Sequence, residues 1–364
     1  MKKKSTKHAR SFHTELLESD SFAQYSLRST FFVRRLRSMR LWEAIQEVHC
    51  LQQVKDGFVW NESDRKTWGI EDDAWAFIND KGIDPLLIFC HPRVISEQPR
   101  LLLYYRTVAL ISQKGLYSLI RGNIAAIESG TVDEVDSEWL QKLVVALNSL
   151  ASAIVQSSAD LSSSELTGFQ FASAGYTIQG SWNNAIGDEG EANVKTILLN
   201  HLREEITQIV WKDQTTLAYM PNLHAQVIEK IAEMRVMRLK NGFHIKFASE
   251  PDISLRDPTQ KPLVAAEVKA GADPAGALER LGAAMKSFDN DRNINPRVKT
   301  VYIARSLTSE LQTRLAEGAH CDHVYSLSAL MVDDSTQRRF ANLFLRAMLD
   351  AQKKSASKKK KRST

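Results

Sequence analysis

Across residues 10–156 apolar side chains recur every third or fourth position, the period of amphipathic helices that bury one stripe. In 31–54 the stripe is Phe32, Leu36, Met39, Trp42, Ile45 and Val48, which predicts one long helix with Arg34, Arg35, Arg37 and Arg40 on its polar surface. Those arginines read either as a solvated face or as a surface for a polyanion. Two more helices are expected over 101–120 and 137–155. Five serines, Ser157, Ser158, Ser162, Ser163 and Ser164, mark 157–168 as a linker. No period of 20 to 50 residues repeats, so a solenoid is not expected.

Beyond 168 the pattern is mixed. A helix is predicted over 188–207 with Val194, Ile197, Leu198 and Leu202 inward, then a short strand at 209–211 and a helix over 223–240 stopped by Asn241-Gly242. Phe243, Ile245 and Phe247 alternate with His244 and Lys246, as in a half-buried strand. Extended stretches at 252–256 and 263–270 flank Asp257-Pro258-Thr259-Gln260, which reads as a turn. A helix at 274–288, a buried strand at 299–304, an edge strand at 323–327 and a helix at 335–351 complete the order. The fold class is therefore α/β, a helical N-terminal region (1–156) and a linker (157–168) before a core (169–350) whose mixed central sheet is flanked by helices.

Composition narrows the setting. The chain has 364 residues, 43% of them apolar, enough for a sizeable core. No apolar run is long enough for a membrane span and no secretory leader is evident, so a cytoplasmic protein is expected. Cys50, Cys90 and Cys321 are too dispersed for a zinc site or a disulfide framework. The net charge of +5 is unevenly placed. Lys2, Lys3, Lys4, Lys7 and Arg10 crowd one end, and Lys353, Lys354, Lys358 to Lys361 and Arg362 the other. Setting these twelve aside leaves 36 basic residues against 43 acidic ones, an acidic body between basic ends. The segment 351–364 is expected to be a disordered basic tail. Such tails either add salt-sensitive attraction to a polyanion or only solubilise the chain.

The chemistry concentrates in one stretch. Pro251-Asp252 is followed, after fourteen residues containing the turn, by Glu267-Val268-Lys269. Period-two alternation puts Glu267 and Lys269 on one face, with Val264, Ala266 and Val268 on the other. If the turn pairs the two segments, their backbones lie about 4.8 Å apart, and Asp252 and Glu267 converge on one hard cation such as Mg²⁺. The bland alternative is a surface hairpin with a salt bridge. Glu250 is a possible substitute ligand. Upstream, Gly187-Asp188-Glu189-Gly190-Glu191 precedes an apolar ladder, and Glu191 falls on its inward stripe with Val194, Ile197 and Leu198. A carboxylate there needs a partner, which a metal would supply. Glu189 is read as offset toward solvent, favouring the helix N-terminus, and Gly180-Ser181-Trp182-Asn183-Asn184 as a cap with Trp182 packing.

These residues resemble the PD-(D/E)XK nuclease superfamily. The resemblance implies a restriction-endonuclease-like core, with Asp252, Glu267, the Val268 carbonyl and Glu191 as metal ligands and Lys269 holding the attacking water. A large helical N-terminal part before a late catalytic core is most similar to type II restriction endonucleases. Trp182, Gly187 and Glu191, in the run 180–269, give a fainter similarity to XcyI-like enzymes, which recognise CCCGGG. That implies double-stranded DNA as partner, a homodimer to cut both strands of a palindrome, and a cognate methyltransferase that acts separately. The N-terminal helices would supply dimer contacts or base readout. Arg256, Lys261, Arg280, Lys286, Arg292 and Arg297 are candidates for DNA contacts. Two other readings use the same residues: a structure-specific repair or recombination nuclease, and a non-catalytic DNA-binding protein with a structural acidic cluster.

Overall fold

Among the described residues eight strands form one mixed sheet: β1 (Ile206–Trp211), β2 (Thr216–Ala218), β3 (Met234–Leu239), β4 (His244–Phe247), β5 (Ile253–Arg256), β6 (Pro262–Lys269), β7 (Lys299–Ala304) and β8 (His323–Ser326). Their spatial order is β2-β1-β3-β4-β5-β6-β7-β8. Neighbours from β2 to β6 run antiparallel, whereas β6, β7 and β8 run parallel. The computed structural model describes residues 17, 21–53, 57–132, 134–158, 161–271, 273–274, 276–318 and 321–362. The basic residues from Lys2 to Arg10 lie outside them.

The chain divides into two compact units, one of Met1–Leu27 with Asn183–Thr364, the other Arg28–Trp182. In the first, the helix Ala277–Ile294 lays Ala277, Leu281, Ala284 and Phe288 against Ala265 of β6 and Tyr302 and Ala304 of β7. The opposite face of β6 meets the helix Ser163–His201 closely at Gly190. A Cβ there would stand 2.6 Å from the Ala270 Cβ and 3.6 Å from a Val268 methyl. Three residues earlier, a Cβ on Gly187 would meet nothing within 4 Å. The two glycines therefore predict opposite responses to alanine. Gly187→Ala is expected to raise stability by about 0.5–1 kcal/mol through helix propensity. Gly190→Ala is expected to lower it by about 1–3 kcal/mol through overpacking. Thermal melts of the two variants check this, and an equal shift in both would refute the close approach.

The other unit is helical. Leu143, Val144, Leu147 and Ala151 of the helix Ser137–Ser157 share its core with Ile45, Val48, Ile78, Phe89 and Ile95. Asp136 caps that helix by accepting from the Trp139 N–H at 2.8 Å. Buried Asn148 accepts from the Cys90 N–H at 2.7 Å and donates to the Cys90 and Trp68 carbonyls at 3.1 Å each, binding two loops to one helix. Arg106, fully buried, forms a bidentate pair with Glu128.

Several elements differ from the sequence expectation. The helix expected over 31–54 is two, Ser21–Met39 and Leu41–Leu51, because Arg40 takes a left-handed backbone (φ 56°). The break turns the stripe, leaving Trp42 exposed while Leu41, Ala44, Ile45 and Val48 are buried. The helix over 101–120 likewise divides into Leu102–Val108 and Gln113–Ile120 around Leu110 (φ 50°). The helix expected to start at 188 runs Ser163–His201, so it begins inside the serine-rich stretch, and the division between units falls within it. Gly180 through Asn184 are thus mid-helix rather than a cap, with Trp182 buried edge-on to Phe31 at 5.2 Å. Residues 223–240, expected as a helix, hold the short helix His224–Glu229 and then β3. The final helix Asp334–Arg362 includes most of the basic end expected to be disordered, in keeping with the high helix propensity of Ala, Lys and Arg. No described helix is long and apolar enough to cross a membrane.

Candidate active site

The hairpin β5–β6 builds the site. Its turn is tied by Asp257, whose carboxylate accepts from the backbone of Thr259 at 2.8 Å and of Lys261 at 3.0 Å and from the Thr259 hydroxyl at 2.7 Å. Gln260 completes the reversal at φ 68°. The resulting register pairs Ile253 with Ala266 and Ser254 with Ala265. Just past the end of β5, Asp252 is brought beside β6, where its carboxylate meets the Val268 N–H.

Asp252 and Glu267 are both buried. The Lys269 ammonium lies 2.5 Å from Glu267 Oε2 and 3.3 Å from Asp252 Oδ2, and Asp252 Oδ2 also accepts from the Val268 N–H at 2.7 Å. The sequence thus brings its three principal candidates together at one point. The face carrying Glu267 is not purely chemical, since its neighbour Ala265 packs beneath Ala277–Ile294. Glu250 is exposed, whereas Asp252 is buried.

Burial, and then the charge of Asp252, pushes Glu267 up to about 7 despite Lys269. Burial would lower Lys269, but the charges of Asp252 and Glu267 outweigh it and hold the ammonium above its ordinary pKa. Glu191 is also raised, first by burial and next by Asp252, while Lys195 and Lys269 pull it down. Glu191 therefore belongs to the same electrostatic cluster, contributed by the helix on the other side of the sheet. Lys195, one turn on, is buried 3.7 Å from Glu191 Oε2 and 5.3 Å from the Phe247 ring centre. Sequence reasoning missed it, although a glutamate followed by lysine four residues later was the available signal. Glu189 is not a first-turn residue: it is half-buried mid-helix and accepts from the Leu17 N–H at 3.1 Å. Arg256 and Arg292 have internal partners, Arg256 with Asp291 at 3.2 Å and Arg292 with Thr300 at 3.2 Å.

The donor set fits a hard divalent cation. Asp252 and Glu267 offer carboxylate oxygens, both buried and both at the Lys269 ammonium. Val268 adds a carbonyl. Its N–H points toward the β5 edge, to Asp252, and in a strand the C=O of the same residue points to the same edge. Among the described residues no group of three His, Cys, Asp or Glu side chains could hold a metal by itself. Glu191, expected as a further ligand, is therefore not gathered with Asp252 and Glu267 into one ready-made metal group.

Comparison with known proteins adds an independent line. The XcyI restriction endonuclease family matches over residues 73–344. The chain is 26% identical over 312 residues to the type II restriction enzyme XcyI of Xanthomonas campestris pv. cyanopsidis, covering 82% of this chain and 86% of that protein. It is also 26% identical over 273 residues to the type II restriction enzyme Cfr9I of Citrobacter freundii, covering 72% of this chain and 76% of that protein.

Proposed function

The chain belongs to the XcyI restriction endonuclease family, and from that premise we propose that it is a type II restriction endonuclease of the PD-(D/E)XK kind, hydrolysing double-stranded DNA at a palindromic site, CCCGGG, as a Mg²⁺-dependent homodimer. The observation that carries this reading is the convergence of Asp252, Glu267 and Lys269 across the β5–β6 hairpin, with Lys269 at 2.5 and 3.3 Å from the two carboxylates. Family membership favours it over a repair nuclease with the same residues. It also favours it over a DNA-binding protein with a structural acidic cluster.

Asp252, Glu267 and the Val268 carbonyl would hold the metal, with Glu191 facing it from the helix. A bound Mg²⁺ lowers the pKa of a coordinated water and offsets charge growing on the phosphate oxygens. Lys269 keeps its proton between the two carboxylates and so acts as a donor, orienting the attacking water by hydrogen bonding. Cutting both strands of a palindrome needs two such sites related by a two-fold axis.

The test is incubation with long unmethylated DNA and Mg²⁺, followed by sequencing of the ends. Discrete fragments whose ends map to cuts within CCCGGG sites are expected, abolished by EDTA and restored by excess Mg²⁺. Smearing or branch-dependent cutting would point to repair instead, and DNA intact at every enzyme level would sink the reading.

A further inference from the structure

The helix Ala277–Ile294 covers β6 and β7 and reaches β5 through the Arg256–Asp291 pair at 3.2 Å. On that same sheet face β1, β3 and β4 carry a trough of 650 Å³. Strand register sets its composition. Val210 and Val236 pair across β1 and β3 as its apolar floor, and Lys246 stands beside Val236 on β4. Arg238 pairs across to His244, and His244 Nε2 meets Gln260 Oε1 at 3.1 Å.

Its charge is one-sided. Arg238 and Lys246 line it and no acidic side chain does among the described residues. Arg238 is exposed and uses one guanidinium nitrogen on a neutral partner, Gln208 Oε1, at 2.7 Å. The Lys246 end of the trough lies nearest the candidate active site. Lys246 is paired with Ser254, two residues along β5 from Asp252, so the Lys246 and Asp252 backbones are about 8 Å apart.

We propose that this trough seats the sugar–phosphate backbone of DNA beside the scissile bond, with Arg238 and Lys246 on phosphates and the Val210–Val236 floor beneath the deoxyribose. The assignment rests on the endonuclease reading above. An open channel with an apolar floor and cations on one side suits a backbone running past the carboxylates. A small anion would have no use for the floor. Phosphate contacts position a duplex without reading its sequence, which fixes the form of the test.

Binding of the full chain to a labelled CCCGGG duplex and to an unrelated duplex is measured in EDTA over a series of salt concentrations. Each phosphate contact contributes about −0.9 to the slope of log affinity against log salt. Arg238→Gln/Lys246→Gln is therefore expected to make the slope shallower by about 1.8. At 0.1 M salt that corresponds to affinity about 60-fold weaker on both duplexes alike. The charge-preserving Arg238→Lys/Lys246→Arg should keep the wild-type slope, which a purely structural role would not require. A wild-type slope in the glutamine variant, with the parent protein binding and cutting DNA, overturns the trough alone. A loss confined to the CCCGGG duplex overturns it as well, because it would make these residues base readers. A parent protein that neither binds DNA in a salt-dependent way nor cuts it brings down the endonuclease reading, and this inference with it.

Discussion

Asp252→Asn is expected to reduce DNA cleavage by about a thousandfold or more while leaving the melting transition close to that of the parent protein. Asparagine is nearly isosteric and keeps an oxygen to accept from the Val268 N–H, a bond of 2.7 Å that fixes the start of β5 against β6. What it removes is charge. Among the described residues Asp252 is one of two carboxylates paired with the Lys269 ammonium, so on the proposed reading its loss would weaken the hold on a divalent cation and the electrostatic stabilisation it delivers. Removing one such stabilising group costs about 10²- to 10³-fold in rate where it has been measured, and a direct metal ligand stands at the upper end or above it. DNA affinity in EDTA should be unchanged or slightly improved, since a negative charge near the phosphates has gone. Cleavage within tenfold of the parent protein would remove Asp252 from the site.

The second large effect lies in the helical unit. Arg106 is fully buried, pairs with Glu128 through two nitrogens and donates a third hydrogen bond to the Ile111 carbonyl at 2.8 Å. Glu128 in turn accepts from Gln113 at 2.6 Å. Glu128→Ala leaves a guanidinium buried without its countercharge and is expected to destabilise this unit by about 3–5 kcal/mol. Arg106→Met/Glu128→Leu removes both charges and should lie much nearer the parent protein, because a buried ion pair is replaced by apolar groups at little cost. Urea unfolding followed by tryptophan fluorescence suits the measurement, since Trp60, Trp68 and Trp75 cluster in the same unit. Equal losses in the single and double variants would show that packing, not the charge pair, sets the stability there.

The site was legible because β5 and β6 are adjacent in sequence and joined by a tight turn, so local alternation and one reversal suffice to bring Asp252, Glu267 and Lys269 together. Glu191 was expected on the inward stripe; its side chain is partly exposed, and it interacts electrostatically with Asp252. β3 was misread for a definable reason. Its pairing with β1 shifts register between Val210 and Trp211, and the irregularity leaves Met234 and Met237 both buried, three residues apart. That spacing, continued back through Ile231 and Val227, imitates the helical period. The length of Ser163–His201 was hidden by Gly168, Gly175, Gly180, Gly187 and Gly190, each unfavourable in an isolated helix. Tertiary packing, which local propensity does not report, holds them helical; at Gly190 the close approach to Ala270 requires the glycine. Lys195 escaped notice because a lysine is ordinarily a surface residue.

The position of β6 bears on where selectivity resides. It is hydrogen-bonded to β5 on one edge and β7 on the other, and Val264 through Val268 are buried. A strand so enclosed exchanges its amide hydrogens only when the surrounding sheet opens as a whole, at close to the full unfolding free energy of that unit. Glu267 and Val268, buried in this strand and paired with β7, are therefore expected to be held firmly in place. On the proposed reading, discrimination between one DNA sequence and another would fall to whatever positions the phosphate against them, and the register of the incoming duplex would be the controlled variable.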